Sequence, residues 1–282
     1  MLQLQLEARM DLLPGEIERH YLQSEERQRL SAGQGELERV RTQAILAREL
    51  PPAPAVVFDI GGGAGVYSFL LARQGYEIHL IDPVELHLEQ ARSHASASGI
   101  ALASIALGDA RKLGIPSASA DAILLLGPLY HLTEHGDRLR ALRETYRILK
   151  PSGVLLAGAI SRFASLIDGL REGFFRDPEF RKIVAADLAS GQHRNPVNHP
   201  AYFTTAYFHR PEELAGEVRR AGFCEVRIIG IEGPAWSTKR FSETWDNPPQ
   251  REKLMEFLSL IEQEPSIVGA SGHLMAIATR PV

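Results

Sequence analysis

The chain of 282 residues is poor in three things: it has one cysteine, Cys224, no long apolar run, and no excess of positive charge. A single thiol cannot close an internal disulfide or build a cysteine-rich metal site. The longest apolar stretches, such as Ala122–Leu126, fall far short of the roughly 20 residues needed to cross a bilayer. The opening MLQLQLEARMDLLPGE carries acids and lacks the continuous apolar centre of a secretory signal. With 31 Lys+Arg against 35 Asp+Glu, the net charge is −4, so no bulk nucleic-acid footprint is present. No repeat and no low-complexity tract interrupts the chain. These shortages predict a cytoplasmic protein with neither membrane nor nucleic acid as partner. What is there is an ordinary globular composition, 44% hydrophobic and 23% charged, and enough length for one large or two modest domains.

From 51 to 160, short apolar runs alternate with amphipathic stretches, the pattern of an α/β fold whose parallel sheet is covered on both faces. Val56–Ile60 is a compact strand after the breakers Pro51, Pro52 and Pro54. Tyr76–Ile81, Ala101–Leu107, Ala122–Leu126 and Val154–Ile160 follow as further strands. Between the last two, Leu139, Leu142, Tyr146 and Leu149 recur at helical spacing, with Arg138, Arg140, Arg143 and Arg147 on the other faces. That helix is expected to stop at Lys150-Pro151-Ser152-Gly153, with the glycine permitting the turn. Residues 211–282 return to the pattern: a helix from Pro211, a strand over Phe223–Ile231, and a last strand over Ser271–Thr279, for which antiparallel pairing is open. Two regions stand apart. Residues 1–50 read as helical, and 161–210 are rich in aromatics, histidines and prolines. The expected organisation is a helical N-terminal cap (1–50), a ligand-binding core (51–160), a lid or substrate-binding insertion (161–210), and the rest of the core (211–282).

The first strand runs into Phe58-Asp59-Ile60-Gly61-Gly62-Gly63-Ala64-Gly65. Glycines allow positive φ and let the backbone approach a ligand without a Cβ in between. A turn after strand one lies at the carboxyl edge of the sheet, where open α/β folds bind ligands. The spacing is an acid, one residue, then G-x-G-x-G. A dinucleotide turn would need glycine where Val66 stands, and no Lys-Ser/Thr follows as in a phosphate-binding loop. Asp82 ends strand two, where its carboxylate could accept two ribose hydroxyls or cap the next helix. Asp109, in Gly108-Asp109-Ala110 after strand three, could accept an adenine amino group or serve as a turn residue.

These segments together resemble the class I S-adenosylmethionine-dependent methyltransferases: DIGGGAG, LIDP, GDARKLGIP, DAILLLGPLYHL and LRETYRILKPSG stand in order over 56–160. ELERVRTQAIL, LLGPLYHL and YFHRPEEL look like a bacterial small-molecule methyltransferase group. The resemblance implies a Rossmann-like fold with a mostly parallel seven-stranded sheet and S-adenosylmethionine as cofactor. It implies that Gly61, Gly63 and Gly65 line the methionine portion, Asp82 with Pro83 holds the ribose, and Asp109 and Ala110 border the adenine. Asp59 would orient the loop and the ligand's amino group. Leu126 and Gly127 would present backbone to the methionine. In the N-terminal cap, Tyr21 would close over the cofactor and Arg39 or Arg41 meet its carboxylate.

An in-line methyl transfer needs an aligned acceptor and little water. Tyr130 and His131, after Gly127-Pro128, stand where that acceptor is expected. His131 could act as a base or simply shape the loop. His199, Tyr202, Tyr207 and His209 in the insertion, and Trp236 after the Phe223–Ile231 strand, are candidate substrate contacts, with ordinary packing as the rival role. No metal motif is present, so no metal is expected. The acceptor is expected to be a small molecule methylated at N, O or C, and a homodimer is left open. Two other functions remain: a non-catalytic adenosylmethionine-binding regulator, and a nicotinamide-dependent oxidoreductase, against which the glycine spacing argues.

Overall fold

The computed structural model describes Ile17, Leu30 and residues 33–282. Tyr21 lies outside the described residues. Helix α1 (Gly33–Glu49) leads into β1 (Val56–Ile60), α2 (Val66–Arg73), β2 (Glu77–Asp82), α3 (Glu85–Ser98), β3 (Ser104–Leu107) and β4 (Ala120–Leu125). A short α4 (Pro128–His131), α5 (His135–Ile148) and the long β5 (Leu149–Ser161) follow. Then come α6 (Ala164–Glu172), α7 (Pro178–Ser190), the short strands β6 (Gln192–His193) and β7 (Ala206–His209), α8 (Pro211–Arg220) and β8 (Cys224–Gly230). Helices α9 (Phe241–Trp245) and α10 (Pro248–Ile261) precede the last strand, β9 (His273–Thr279). Among the described residues, no helix is long and apolar enough to cross a membrane.

The expected seven strands run in the order β3-β2-β1-β4-β5-β9-β8; only β9 is antiparallel to its neighbours. The hairpin β6–β7 is an addition, joined through Ile160 and Ser161, beyond the last β4 partner at Ala157. Alternate residues of the central strands feed two cores. Phe58, Ile60, Ile123 and Leu125 pack toward α5 and α8. Val57, Ala122 and Leu124 pack toward α1 and α2. That double burial is why these strands are apolar apart from Asp59 and Asp121, and each apolar side chain buried this way is worth about 1.5–3 kcal/mol.

Two local expectations are corrected. Helix α5 ends at Ile148, and it is Ser152, not Gly153, that takes positive φ, at 64°. Gly153 is needed for closeness: a Cβ there would sit 2.8 Å from the Lys150 carbonyl oxygen. Arg138, expected on an outer face of α5, is 2% exposed because Glu217 on α8 accepts from its Nη2 at 2.8 Å.

The insertion packs on itself. Phe180, Ile183, Val184 and Tyr202 form its own small core, with Phe174 and Phe175 against it. It reaches the main sheet through Ala206 and Phe208, which pack with Ile160.

Candidate functional site

A cavity of about 620 Å³ opens along the carboxyl ends of the parallel strands. Asp59, Gly61, Gly63, Asp82, Pro83, Asp109, Ala110, Leu126, Gly127, Tyr130 and His131 all line it. Its floor is made where two loops meet. Gly61 has φ 72°, and a Cβ on it would lie 2.6 Å from the Pro128 ring. A Cβ on Gly127 would lie 3.0 Å from the Gly61 carbonyl oxygen. Gly63 differs: at φ 58° its missing Cβ faces open space in the cavity, 3.9 Å from His87. Gly65, expected to line the methionine portion, does not border the cavity. At φ 82° it opens α2, and its missing Cβ points at Phe69 and Leu80, so its role is packing.

Asp59 is buried below the loop. Its Oδ2 accepts from the Ser68 hydroxyl at 2.7 Å, whereas Oδ1 has no hydrogen-bond partner. Burial first, then repulsion from Asp82, push its pKa up to about 6 against the Ser68 bond. A buried carboxylate oxygen without a donor is costly, and this one borders a ligand-sized space. A cationic amino group placed there would supply the missing donor.

Asp82 holds the loop as well as facing the cavity. Oδ2 accepts from the Gly63 N–H at 2.8 Å; Oδ1 accepts from the Val84 N–H at 2.9 Å and from His87 Nδ1 at 3.0 Å. A carboxylate has about four lone-pair positions, so room for a further donor remains on Oδ2. Asp109 has no such room. Its two oxygens take the Arg111 N–H, Nε–H and Nη2–H at 2.5–3.0 Å, and Arg111 also donates to Asp137 at 2.9 Å. The expectation that the Asp109 side chain accepts an adenine amino group is therefore corrected; Gly108, Asp109 and Ala110 form wall, with the carboxylate committed to Arg111.

Where the acceptor was expected, Tyr130 meets His131 edge-on at 4.5 Å, and Phe203 from the insertion lies over His131 at 6.0 Å. The five candidate substrate contacts do not line the cavity. Tyr202 belongs to the insertion's core and donates to Asp177 at 2.7 Å, while His199 stacks on it at 4.1 Å. Tyr207 lies under the Arg138 guanidinium, 3.7 Å from its ring centre. His209 is fully buried on Glu217 at 3.2 Å, tying β7 to α8. Trp236 donates to the Ala270 carbonyl at 2.9 Å and borders a separate hollow. Nor does any residue of 161–210 line the cavity; Leu30, Glu38 and Thr42 do. Arg41 is spent elsewhere, donating to the Ile231 carbonyl and to Glu262. Arg39 donates to the Leu30 carbonyl.

Sequence inspection missed a polar group at the far end of the cavity. Glu38 on α1, Glu232 after β8 and His273 at the start of β9 bring their ligand atoms within 4.8 Å of one another. Glu232 accepts from the Ser271 hydroxyl at 2.7 Å, the His273 N–H at 3.0 Å and His273 Nδ1 at 2.5 Å. Burial alone would raise its pKa, but the neighbouring His273 and these bonds hold it below the usual carboxylate range. His87, Gln90 and His94 on α3 also line the cavity and were not anticipated. Periodicity gave no sign of them.

Comparison with known proteins agrees with this geometry. A family described as a methyltransferase domain matches residues 57–153. A ubiquinone biosynthesis O-methyltransferase of Azorhizobium caulinodans is 29% identical over 190 residues, 66% of this chain and 65% of that protein, just under two thirds of its length. A ubiquinone/menaquinone biosynthesis C-methyltransferase of Bordetella parapertussis is 31% identical over 209 residues, 72% of this chain and 75% of that one. In fold, the chain resembles an S-adenosylmethionine-dependent methyltransferase from Methanosarcina mazei with a TM-score of 0.55 at 18% identity, covering 84% of this chain and 97% of that one. The glycine turn, the sheet order and these relatives converge: the chain belongs to the class I S-adenosylmethionine-dependent methyltransferases.

Proposed function

We propose that the protein binds S-adenosylmethionine in this cavity and passes its methyl group to a small-molecule acceptor at N, O or C. The observation that carries the proposal is the pairing of Gly63, whose missing Cβ leaves room for a ligand, with the unpartnered Oδ1 of Asp59. Gly61, Gly63 and Asp59 would hold the methionine portion, Asp82 and Pro83 the ribose, and the wall at Ala110 the adenine. Leu126 and Gly127 would present backbone beside the methionine. The bound sulfonium supplies an activated methyl group. What this chain's residues contribute is alignment, exclusion of water and, for a protonated acceptor, a place for the proton. Tyr130 and His131 would form one wall of the acceptor space. The names of the relatives, an O- and a C-methyltransferase of quinone biosynthesis, support a small and largely apolar acceptor.

Titration calorimetry with S-adenosylmethionine, S-adenosylhomocysteine, NAD(H) and NADP(H) tests the cofactor. The first two should bind and the nicotinamides should not; tight nicotinamide binding without adenosylmethionine binding overturns the reading. Methyl-labelled donor incubated with a bacterial small-molecule extract separates transfer from mere binding. Label retained wholly on the donor would leave a regulatory, non-catalytic protein.

A further inference from the structure

We propose that Glu38, Glu232 and His273 form a binding site for one divalent transition-metal cation, at the end of the cavity away from the glycine loop. The proposal goes beyond the methyl-transfer reading and does not depend on it. The three ligand atoms, one carboxylate oxygen from each glutamate and one imidazole nitrogen, lie within 4.8 Å of one another. Glu38 and His273 line the cavity, so the space between them opens on it. No motif announces the site, because its ligands come from α1, from the turn after β8 and from the start of β9.

The fold holds these ligands together before any cation arrives. The Ile231 N–H donates to the His273 carbonyl at 3.0 Å, which fixes the end of β8 beside the start of β9. Arg41, one turn after Glu38, donates to the Ile231 carbonyl at 2.9 Å and pins α1 to the same place. Glu232 is set by its other oxygen. Oε2 accepts from the Ser271 hydroxyl at 2.7 Å and the His273 N–H at 3.0 Å, which leaves Oε1 turned to His273 Nδ1 at 2.5 Å. Buried Ser271 Oγ in turn accepts from the Glu232 and Gly233 N–H groups at 3.0 and 3.1 Å. Outer partners of this kind orient a metal-ligating carboxylate. Glu38 Oε2 stands 3.6 Å from the same Nδ1. Ligand atoms about 2.0–2.2 Å from one cation are about 3–3.5 Å apart in a tetrahedron, between the two distances observed. Thr42 is an independent sign of a ligand here. It is 3% exposed, borders the cavity one turn after Glu38, and its hydroxyl has no hydrogen-bond partner among the described residues. A water carried by the cation would supply one.

Without a cation, the imidazole proton stands between the carboxylates: an ionised Glu232 can only accept, so Nδ1 carries the hydrogen. A cation takes the place of that proton, which leaves to solvent. His273 also interacts beyond these groups. That suits ligation through Nδ1, because a ligating imidazole ordinarily keeps its other nitrogen bonded. Asp168 on α6, paired with Arg171 at 3.0 Å, adds a negative charge at longer range. One imidazole with two carboxylates suits Zn²⁺, Co²⁺, Fe²⁺ or Mn²⁺ better than Ca²⁺ or Mg²⁺, which favour oxygen alone. Three protein ligands leave a coordination position open toward the cavity.

The test uses Co²⁺ alone, added to the chain after dialysis against a chelator, with no S-adenosyl ligand present. Wild type should bind one Co²⁺ per chain with a dissociation constant below about 0.1 mM, show its visible absorption bands, and release it to one equivalent of Zn²⁺. Glu232→Gln and His273→Gln should each weaken binding by at least about 100-fold, more than the loss of an outer partner costs. Ser271→Ala keeps all three ligands and should weaken it by about 10-fold. Proton spectra of wild type need no variant: the downfield Nδ1 proton of His273 should vanish at one equivalent of Zn²⁺. A weaker dissociation constant in wild type, binding that survives in both Glu232→Gln and His273→Gln, or an Nδ1 proton untouched by Zn²⁺ overturns the proposal. So does a Zn²⁺-induced shift confined to exposed His199, which would mark an adventitious ion only. Because no S-adenosyl ligand takes part, failure here leaves the methyl-transfer reading standing, and failure to bind S-adenosylhomocysteine leaves the cation site standing.

Discussion

Replacing Asp82 with alanine removes two functions at once, and they can be separated from the ligand side. The carboxylate anchors the Gly63 and Val84 N–H groups at 2.8 and 2.9 Å. Leaving these donors unpaired costs about 1–3 kcal/mol each. If the same carboxylate also accepts ribose hydroxyls, a further loss of about 1.5–3 kcal/mol appears only with ligand, or about 10- to 100-fold in affinity. A weaker dissociation constant in Asp82→Ala is therefore ambiguous, because a loosened loop and a lost ribose contact both produce it. Calorimetry with S-adenosylhomocysteine and its 2′-deoxyribose analogue resolves the two. Wild type should bind the deoxy analogue at least about 10-fold more weakly, whereas Asp82→Ala should bind both ligands within about twofold. If the variant still discriminates as strongly as wild type, Asp82 is a loop clamp and helix cap, and the ribose is held by something else.

Two further outcomes follow from buried charges. The Asp59 carboxyl has its pKa raised to about 6 by burial, so near pH 6 the free protein holds part of a proton there; a cationic amino group arriving beside Oδ1 should expel it. Calorimetry in buffers of different ionisation heat should show fractional proton release near pH 6, none at pH 8, and none at either pH in Asp59→Asn; equal release in that variant would refute the assignment. Glu217 is held at about 2 despite burial, by His209 and Arg138. A depressed carboxylate contributes stability that is present above its ordinary value near 4.5 and lost as pH falls toward 2, here about 3 kcal/mol. His209, its pKa lowered by burial, adds a loss of the same sign once pH drops below the usual histidine range. Scanning calorimetry should thus show a steep acid decline that Glu217→Gln flattens, at the expense of lower stability at pH 7.

The end of the cavity under the glycine loop was legible because its constraints are local. Val56–Ile60 is apolar at every position but Asp59 because both faces are buried, and the glycines after it are demanded by backbone φ and by contact with Pro128. Asp59, Asp82 and Ala110 follow from their places at strand ends. The opposite end of the cavity was not legible. His273 and Glu232 are 41 positions apart and meet only because β9 runs back beside β8. The aromatics of 161–210 mark a hydrophobic concentration, but composition cannot distinguish a ligand wall from a small core such as the one around Tyr202. Asp109 misled for a nearer reason: its competitor, Arg111, stands two residues on.

The seam between Gly61 and Gly127 bears on how finely the reaction can be tuned. Side chains shift between rotamers, but here the loop after β1 touches the loop after β4 through backbone and a proline ring. The two loops are thereby held in registry by backbone and ring contact rather than by rotamers. Side-chain replacement around the cavity then changes its lining while the meeting of the two loops is kept. Only at the seam itself, where even a methyl group would wedge the two loops apart, does a minimal change throw the whole apparatus out of true.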